Sequence, residues 1–275
     1  MRLIADIGGT SSRWVDISKG IGSLIKLDGH NPVLSRGPEF ISGLDHFPSE
    51  AVTDIIVYGA GCGEAERASG IRNPLQRIFG RARIQVNSDL LAVAHGLLGE
   101  QQGLVAILGT GMNVGWYDGS MLLQRLPSLG YLIGDEGSGA HIGKTFLNDL
   151  YYGRIPPETL NRLFPGGVPE LANTIAFVYG SEAGNRALAS YTHVLSECVD
   201  DIYVSDLLSR CFREFVHLLR GQHPAAERRT IAISGGIASA FTSVLSPLLN
   251  EVGVESLIIE PDPIEGLLRY HQRVM

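Results

Sequence analysis

Three glycine turns and two carboxylates have the residue types and spacing to do chemistry. Asp6-Ile7-Gly8-Gly9-Thr10 follows a short apolar run. Glycine has no Cβ, so the backbone N–H groups of such a turn can approach a phosphate closely. Thr10, Ser11 and Ser12 add hydroxyl donors, and Asp6, at the strand end, suits a Mg2+ ion held largely through water. An ordinary hairpin turn has the same composition. Gly109-Thr110-Gly111-Met112-Asn113 is a second turn of this kind. Two such turns at corresponding places in two halves of a chain are more specific than one, and they suit a polyphosphate gripped from both sides. Ile233-Ser234-Gly235-Gly236-Ile237 follows a late apolar run and opens a helix. Small residues there let a flat purine or a ribose pack on the backbone, and the helix start favours anionic groups.

The first carboxylate is Asp89, in Asn87-Ser88-Asp89 ahead of an apolar helical stretch. A carboxylate so placed can orient an attacking hydroxyl and accept its proton. Asn, Ser and Asp are also the preferred helix N-caps, and one of the three is expected to cap. The second is Asp135, in the acidic glycine loop Gly134-Asp135-Glu136-Gly137-Ser138-Gly139. It can hydrogen-bond vicinal sugar hydroxyls or serve a capping loop. Asn31, before Pro32, suits an amide or hydroxyl contact, or a turn.

The elements that must position these groups show in the hydrophobic pattern. Residues 2–7 and 12–17 read as a hairpin. Residues 54–58 read as a buried parallel strand, 64–79 as a helix, 84–86 as a strand and 90–98 as a helix. The pattern then restarts, with strands 104–108 and 113–117 and a turn at Asp118-Gly119. Helix 140–150, a proline- and glycine-rich region 153–170 holding a short helix, and helical segments to about 220 follow. Strand 230–233, a helix to 250, strand 257–260 and helix 264–274 close the chain. Both halves open with an apolar strand, a Gly/Thr turn and a strand, which favours two related α/β domains with a cleft between them.

Composition narrows the function classes. With 275 residues and 44% hydrophobic content, the chain has more apolar material than one ordinary core needs. A net charge of −7 without a long basic run argues against nucleic acid and anionic membrane as partners. No segment reaches the roughly 18 apolar residues of a membrane span, and the N-terminus does not read as a signal peptide. Cys62, Cys198 and Cys211 are odd in number and widely spaced, which suggests reduced thiols in the cytoplasm. Neither a CxxC nor an HExxH pattern occurs, so a structural zinc site is not expected.

Taken together and in order, these motifs resemble the N-acetylglucosamine kinase family. That family groups with the activator ATPases of benzoyl-CoA reductase and 2-hydroxyacyl-CoA dehydratase, within the superfamily of actin, sugar kinases and heat-shock chaperone ATPases. The resemblance runs from Asp6 to Ile264-Glu265-Gly266-Leu267 and is most specific at Asn87–Asp89, Leu108–Asn113 and Gly134–Ser138. Tyr58-Gly59-Ala60-Gly61-Cys62 and the closing Glu265-Gly266-Leu267 with Arg269-Tyr270-His271 look like a compact bacterial branch.

The resemblance implies an α/β fold of two ribonuclease H-like (actin-like ATPase) domains with an interdomain cleft. The domains would span 1–102 with the C-terminal helix 262–275, and 103–258. It implies ATP- and Mg2+-dependent phosphorylation of an amino-sugar hydroxyl. By position, Gly8, Gly9, Thr10, Ser11, Ser12 and Thr110 would meet phosphate, and Gly235 and Gly236 adenosine. Asp6 would serve the metal and Asp89 would be the catalytic carboxylate. Asn31, Asn113, Ser128, Leu129, Gly130 and Asp135 would face the acceptor. The partners implied are ATP and a small amino sugar, and homodimers are common in the family. The chain departs from the family at Ser11, where Lys or His is frequent, and at Leu129, where animal N-acetylglucosamine kinases carry Trp. An activator-type ATPase and a non-catalytic sugar or nucleotide sensor are the competing readings. A kinase-like repressor would need a helix-turn-helix, and the chain opens directly on a strand.

Overall fold

The computed structural model describes residues 1–30, 39–181 and 183–273. The chain divides into two compact units: Met1–Gln101 with Asp118–Leu122 and Asp262–Met275, and Gln102–Tyr117 with Leu123–Pro261.

The first unit is built on β1 (Arg2–Ile7), β2 (Ser11–Asp16), β3 (Ile25–Asp28), β4 (Asp54–Gly59), α1 (Ala65–Ile78), β5 (Arg83–Ser88) and α2 (Asp89–Val93). Its sheet runs in the order β3-β2-β1-β4-β5. The β1–β2 and β2–β3 pairs are antiparallel, and β1–β4 and β4–β5 are parallel. A central strand covered on both faces reads as a near-continuous apolar run, and β1 does over Leu3–Ala5 and at Ile7, with Asp6 the exception near its end. Leu3, Ala5 and Ile7 pack with Ile71 and Leu75 of α1, while Ile4 packs on the other face with Ala92 of α2. The strand β3 escapes the sequence reading because Ile25-Lys26-Leu27-Asp28 alternates over only four residues.

The expected helix 90–98 starts as α2 and widens into a π turn over Ala94–Leu98. π turns of this kind often mark functional or tightly packed sites. Here the C-terminal helix of the chain lies against the π turn. A Cβ on Gly266 would fall on the carbonyl of Gly96. Tyr58 holds the same junction. Its hydroxyl bridges His95 Nδ1 at 2.7 Å and His271 Nε2 at 2.9 Å. Burial pushes both imidazoles down to about 4, so both are neutral near pH 7, and the hydroxyl donates to one ring and accepts from the other.

The second unit repeats the plan. Its elements are β6 (Gly103–Leu108), β7 (Met112–Tyr117), β8 (Leu122–Arg125), α3 (Gly139–Tyr151), α4 (Pro157–Leu163), α5 (Leu171–Gly180), α6 (Gly184–Ser190), α7 (Thr192–Ser196), α8 (Ile202–Gln222), β9 (Thr230–Ser234), α9 (Gly236–Ala240), α10 (Thr242–Asn250) and β10 (Ser256–Glu260). The closing helix α11 (Ile264–Arg273) returns to the first unit. The second sheet runs β10-β9-β6-β7-β8, with β6–β7 antiparallel and β6–β9 and β9–β10 parallel. Strand for strand this is the order of the first sheet. The weak repeat of the sequence is therefore a full repeat of topology. Phe146, Phe212, Phe215 and Phe241 fill the core beneath it. Asp201 caps α8 by accepting the N–H groups of Tyr203 at 2.9 Å and Val204 at 3.3 Å. Among the described residues no helix is long and apolar enough to cross a membrane.

Candidate active site

In the first unit, Gly8, Gly9 and Thr10 form the tight turn between β1 and β2. Gly8 N–H donates to the Ser11 carbonyl at 3.0 Å. The turn is held from the side by the chain leaving β3: His30 N–H donates to the Gly8 carbonyl at 2.9 Å, and Gly29 N–H to the Thr10 carbonyl at 3.2 Å. Thr10 is exposed and Ser11 half-buried. Ser12 corrects an expectation. Side chains alternate along β2, and the Ser12 hydroxyl is fully buried, donating to the Asp28 carbonyl at 2.8 Å and accepting from Trp14 Nε1 at 3.0 Å. That hydroxyl braces the hairpin and does not present itself to phosphate.

Asp6 sits opposite Arg13 in the β1–β2 register, so the two side chains share a face of the sheet. Arg13 Nε lies 2.9 Å from Asp262 Oδ2, and Arg13 Nη1 reaches Ser11 Oγ at 3.5 Å. Loss of solvent pushes the Asp6 carboxyl up to about 7; the Arg13 guanidinium opposes this, and the Asp262 and Asp89 carboxylates reinforce it. Three carboxylates against one guanidinium leave an excess of negative charge that favours a cation. Among the described residues, no group of three or more His, Cys, Asp or Glu side chains could hold a metal ion. A single carboxylate completed by water and phosphate oxygens is an ordinary ligand set for Mg2+.

The raised Asp6 pKa makes a signed prediction for the ligand-free protein. Between about pH 4 and pH 7 the folded state keeps a proton that the unfolded state releases. Stability from this group is complete below about pH 4 and is lost as pH rises through 7. Asp6→Asn removes the dependence. Relative to wild type, the variant gains stability between pH 4 and pH 8, by at most a few kcal/mol. Thermal midpoints of both proteins across that range check it; parallel curves would contradict it.

Asp89 is the first residue of α2 and is half-buried. The choice of cap falls on its neighbour: Ser88 Oγ accepts the Leu91 N–H at 3.3 Å, while Asp89 Oδ1 accepts the N–H of Leu90 at 2.8 Å. Asn87 instead donates to the Val57 carbonyl at 3.4 Å.

In the second unit three motifs separated in sequence come together. The Gly109–Gly111 turn closes with Gly109 N–H donating to the Gly111 carbonyl at 3.1 Å. The first amides of α3 fix it, Gly139 N–H to the Gly109 carbonyl at 2.8 Å and Ala140 N–H to the Thr110 carbonyl at 3.1 Å. Gly235, at φ +132°, lies against the Leu108 carbonyl and Gly109 N, where no Cβ would fit. A Cβ on Gly236, by contrast, would point into open space. Asp135 lies beside the same turn, and a Cβ on Gly111 would come within 2.9 Å of its Oδ2. Asp135 is buried, at φ +60°, and its carboxylate accepts the Met112 N–H. Burial raises its pKa, the Met112 N–H lowers it, and the Glu136 charge raises it.

A cavity of about 270 Å3 opens beside Asp135, with Met112, Leu126, Ser128, Leu129 and Glu136 in its walls. Three of the expected acceptor residues, Ser128, Leu129 and Asp135, thus share one cavity. Gly130 lies one residue beyond, at φ +75°, and its carbonyl accepts the Gly134 N–H at 2.9 Å. Asn113 is on β7 opposite Ile107, half-buried and outside the lining. Asn31 lies outside the described residues.

Gly29, Arg13 and Asp262 were missed by the sequence reading. Arg13 carried a signal: counting the hairpin register outward from Gly8–Ser11 places it opposite Asp6. Gly29 and Asp262 carried none, because each meets its partner only through the fold.

No protein-family model and no curated protein matches the sequence. Solved structures do. A provisionally named N-acetylglucosamine kinase from Porphyromonas gingivalis is 27% identical, with a TM-score of 0.86 over 99% of both chains. A ROK-family glucokinase from Streptomyces griseus, solved with glucose and AMPPNP, is 16% identical with a TM-score of 0.63 over 99% of this chain and 98% of its own. Component A of (R)-2-hydroxyglutaryl-CoA dehydratase from Acidaminococcus fermentans is 16% identical, with a TM-score of 0.54 over 100% and 99%. The chain thus shares its mixed α/β fold, with two five-stranded sheets, with these sugar-kinase and dehydratase-activator structures, and is similar over its full length to the N-acetylglucosamine kinase-like one.

Proposed function

We propose that this protein is an ATP-dependent kinase that phosphorylates a sugar hydroxyl, with an amino sugar of the N-acetylglucosamine type as acceptor. One observation supports this most: the buried Asp135 carboxylate touches the Gly109–Gly111 turn on one side and lines the Ser128–Leu129 cavity on the other. An acceptor-binding group and a phosphate-binding turn are thereby adjacent.

In this reading Gly8, Gly9, Thr10, Ser11 and Thr110 hold phosphate, Gly235 and Gly236 pack on the nucleoside, and Asp6 takes the Mg2+. Magnesium on the phosphates neutralises the charge that develops as the phosphoryl group transfers. Asp135 holds the acceptor by its hydroxyls, and Asn31, Asn113, Ser128, Leu129 and Gly130 complete the acceptor side. Asp89 orients the attacking hydroxyl and accepts its proton. A carboxylate is too weak a base to strip a sugar hydroxyl beforehand, so the proton moves late, as the new P–O bond forms.

The activator reading needs cysteine ligands for an iron–sulfur cluster shared across a dimer. All three cysteines are buried, and burial pushes the Cys62 thiol up to about 12. Such a thiol does not readily ionise to the thiolate that a cluster ligand must be.

An ADP-release screen with Mg2+ and ATP across amino sugars tests the proposal. Sugar-dependent ADP with a phosphorylated sugar product supports it. ATP hydrolysis indifferent to every sugar supports an ATPase, and binding without turnover supports a sensor. The nucleoside role of Gly236 has its own test. Because a Cβ there meets no protein atom, Gly236→Val should leave the thermal midpoint unchanged while raising the ATP KM roughly tenfold, about 1.4 kcal/mol. An unchanged KM would remove Gly236 from the nucleotide site.

A further inference from the structure

The cavity at Asp135 does not end at its own walls. Glu136, Leu218 and Gln222 line it and also line a second, wider trough of about 630 Å3. The trough runs along α8, with Arg213, Glu214, His217 and Gly221 forming the rest of it. Positions 214, 217, 218, 221 and 222 follow the spacing of one helical face. The first cavity, at about 270 Å3, is at the small end of ligand sites, which run from about 300 to 1,000 Å3. The two together lie in the upper part of that range.

The chemistry of the trough narrows its occupant. Glu136 and Glu214 accept hydrogen bonds, Gln222 donates and accepts, and Leu218 is its only large aliphatic side chain. That set suits hydroxyl and amide groups and offers little to a lipid tail. The guanidinium of Arg213 is already answered by Glu251 at 3.2 Å. Two carboxylates facing one engaged cation disfavour an anionic substituent. The wall is also tied to the acceptor loop. Gly137 N–H donates to His141 Nδ1 at 3.0 Å, which leaves the ring proton on Nε2, and Nε2 faces Glu214 Oε2 at 3.5 Å. Through His141, Glu214 is linked to the loop that carries Asp135.

We propose that the acceptor site continues along α8 into a second subsite that takes the neutral, hydroxyl-rich second ring of a disaccharide. This rests on the reading of Asp135 as an acceptor-binding group. Gly221 supplies the means of testing it. A Cβ there meets nothing within 4 Å, so Gly221→Trp fills the trough without disturbing the core. Calorimetry on the full chain should compare N-acetylglucosamine with its (1→3)-, (1→4)- and (1→6)-linked dimers. At least one dimer should bind roughly tenfold tighter than the monosaccharide. Gly221→Trp should abolish that gain and leave monosaccharide affinity unchanged, while Glu214→Gln should reduce the gain. Monosaccharide binding with no dimer preferred, or a preference that survives Gly221→Trp, overturns the subsite alone. Asp135→Asn that leaves monosaccharide affinity intact overturns the acceptor reading beneath it.

Discussion

Asp89→Asn lowers kcat on the best sugar by roughly 10²–10⁴, the scale of losing a group that orients and deprotonates a nucleophile. The thermal midpoint stays where it was. The structure separates these two outcomes, because the α2 cap is Ser88 and not Asp89. Asparagine keeps the Oδ1 that accepts the Leu90 N–H, and loses only the negative charge and proton affinity. Ser88→Ala is the reciprocal experiment. It should lower stability by about 1 kcal/mol and leave the chemistry to Asp89. Steady-state kinetics and melting curves of both variants decide the matter. Wild-type kcat in Asp89→Asn would exclude Asp89 as the proton acceptor.

Gly29→Ala should be among the most damaging single methyls in the first unit. The added Cβ would fall on the Gly8 carbonyl, Ser11 N and Thr10 C, all backbone, with no flexible side chain to yield. The Gly8–Thr10 turn must open or β3 must move away. Overpacking of this kind destabilises by about 1–3 kcal/mol. In the proposed kinase, ATP affinity should fall at least tenfold, about 1.4 kcal/mol. Gly22→Ala is the control, since its Cβ meets nothing within 4 Å. Calorimetry with ATP and thermal melts of both variants check the prediction. Equal ATP affinity in the two would mean that the Gly8–Thr10 turn does not bind the nucleotide.

The elements legible in the sequence are those whose signal is local. The β1–β2 and β6–β7 hairpins each show as apolar runs around Gly/Thr, and α3 shows as a polar glycine loop followed by a helical period. What was not legible depends on partners distant in the chain. Asn87, Ser88 and Asp89 are equally good caps on paper. Only the geometry at the end of β5 gives the Leu91 N–H to Ser88. The misassigned Ser12 was within reach of a simple rule, because on a strand it must face away from Ser11 and Arg13. The approach of Asp135 to Gly111 joins residues 24 positions apart, and no local pattern encodes it. The helix expected after Gly235-Gly236 to about 250 breaks at Phe241, which is fully buried and turns its side chain into the core between α9 and α10.

The helix α11 has a consequence for how the protein is made. It is synthesised after all the strands of both sheets, yet Ile264, Leu267 and Leu268 cover Ile4, Val15 and Tyr58 on the first sheet. A growing chain therefore carries that sheet with part of one apolar face uncovered until residues 264–268 leave the ribosome. At roughly 5–20 residues per second, the stretch between α2 and α11 takes on the order of 10–30 s to translate. The second unit has all of its own strands before then and can fold first. A nascent chain stalled short of residue 262 would expose the open face to chaperones and proteases, even though the Asp6 turn, Asp89 and Asp135 had all been made.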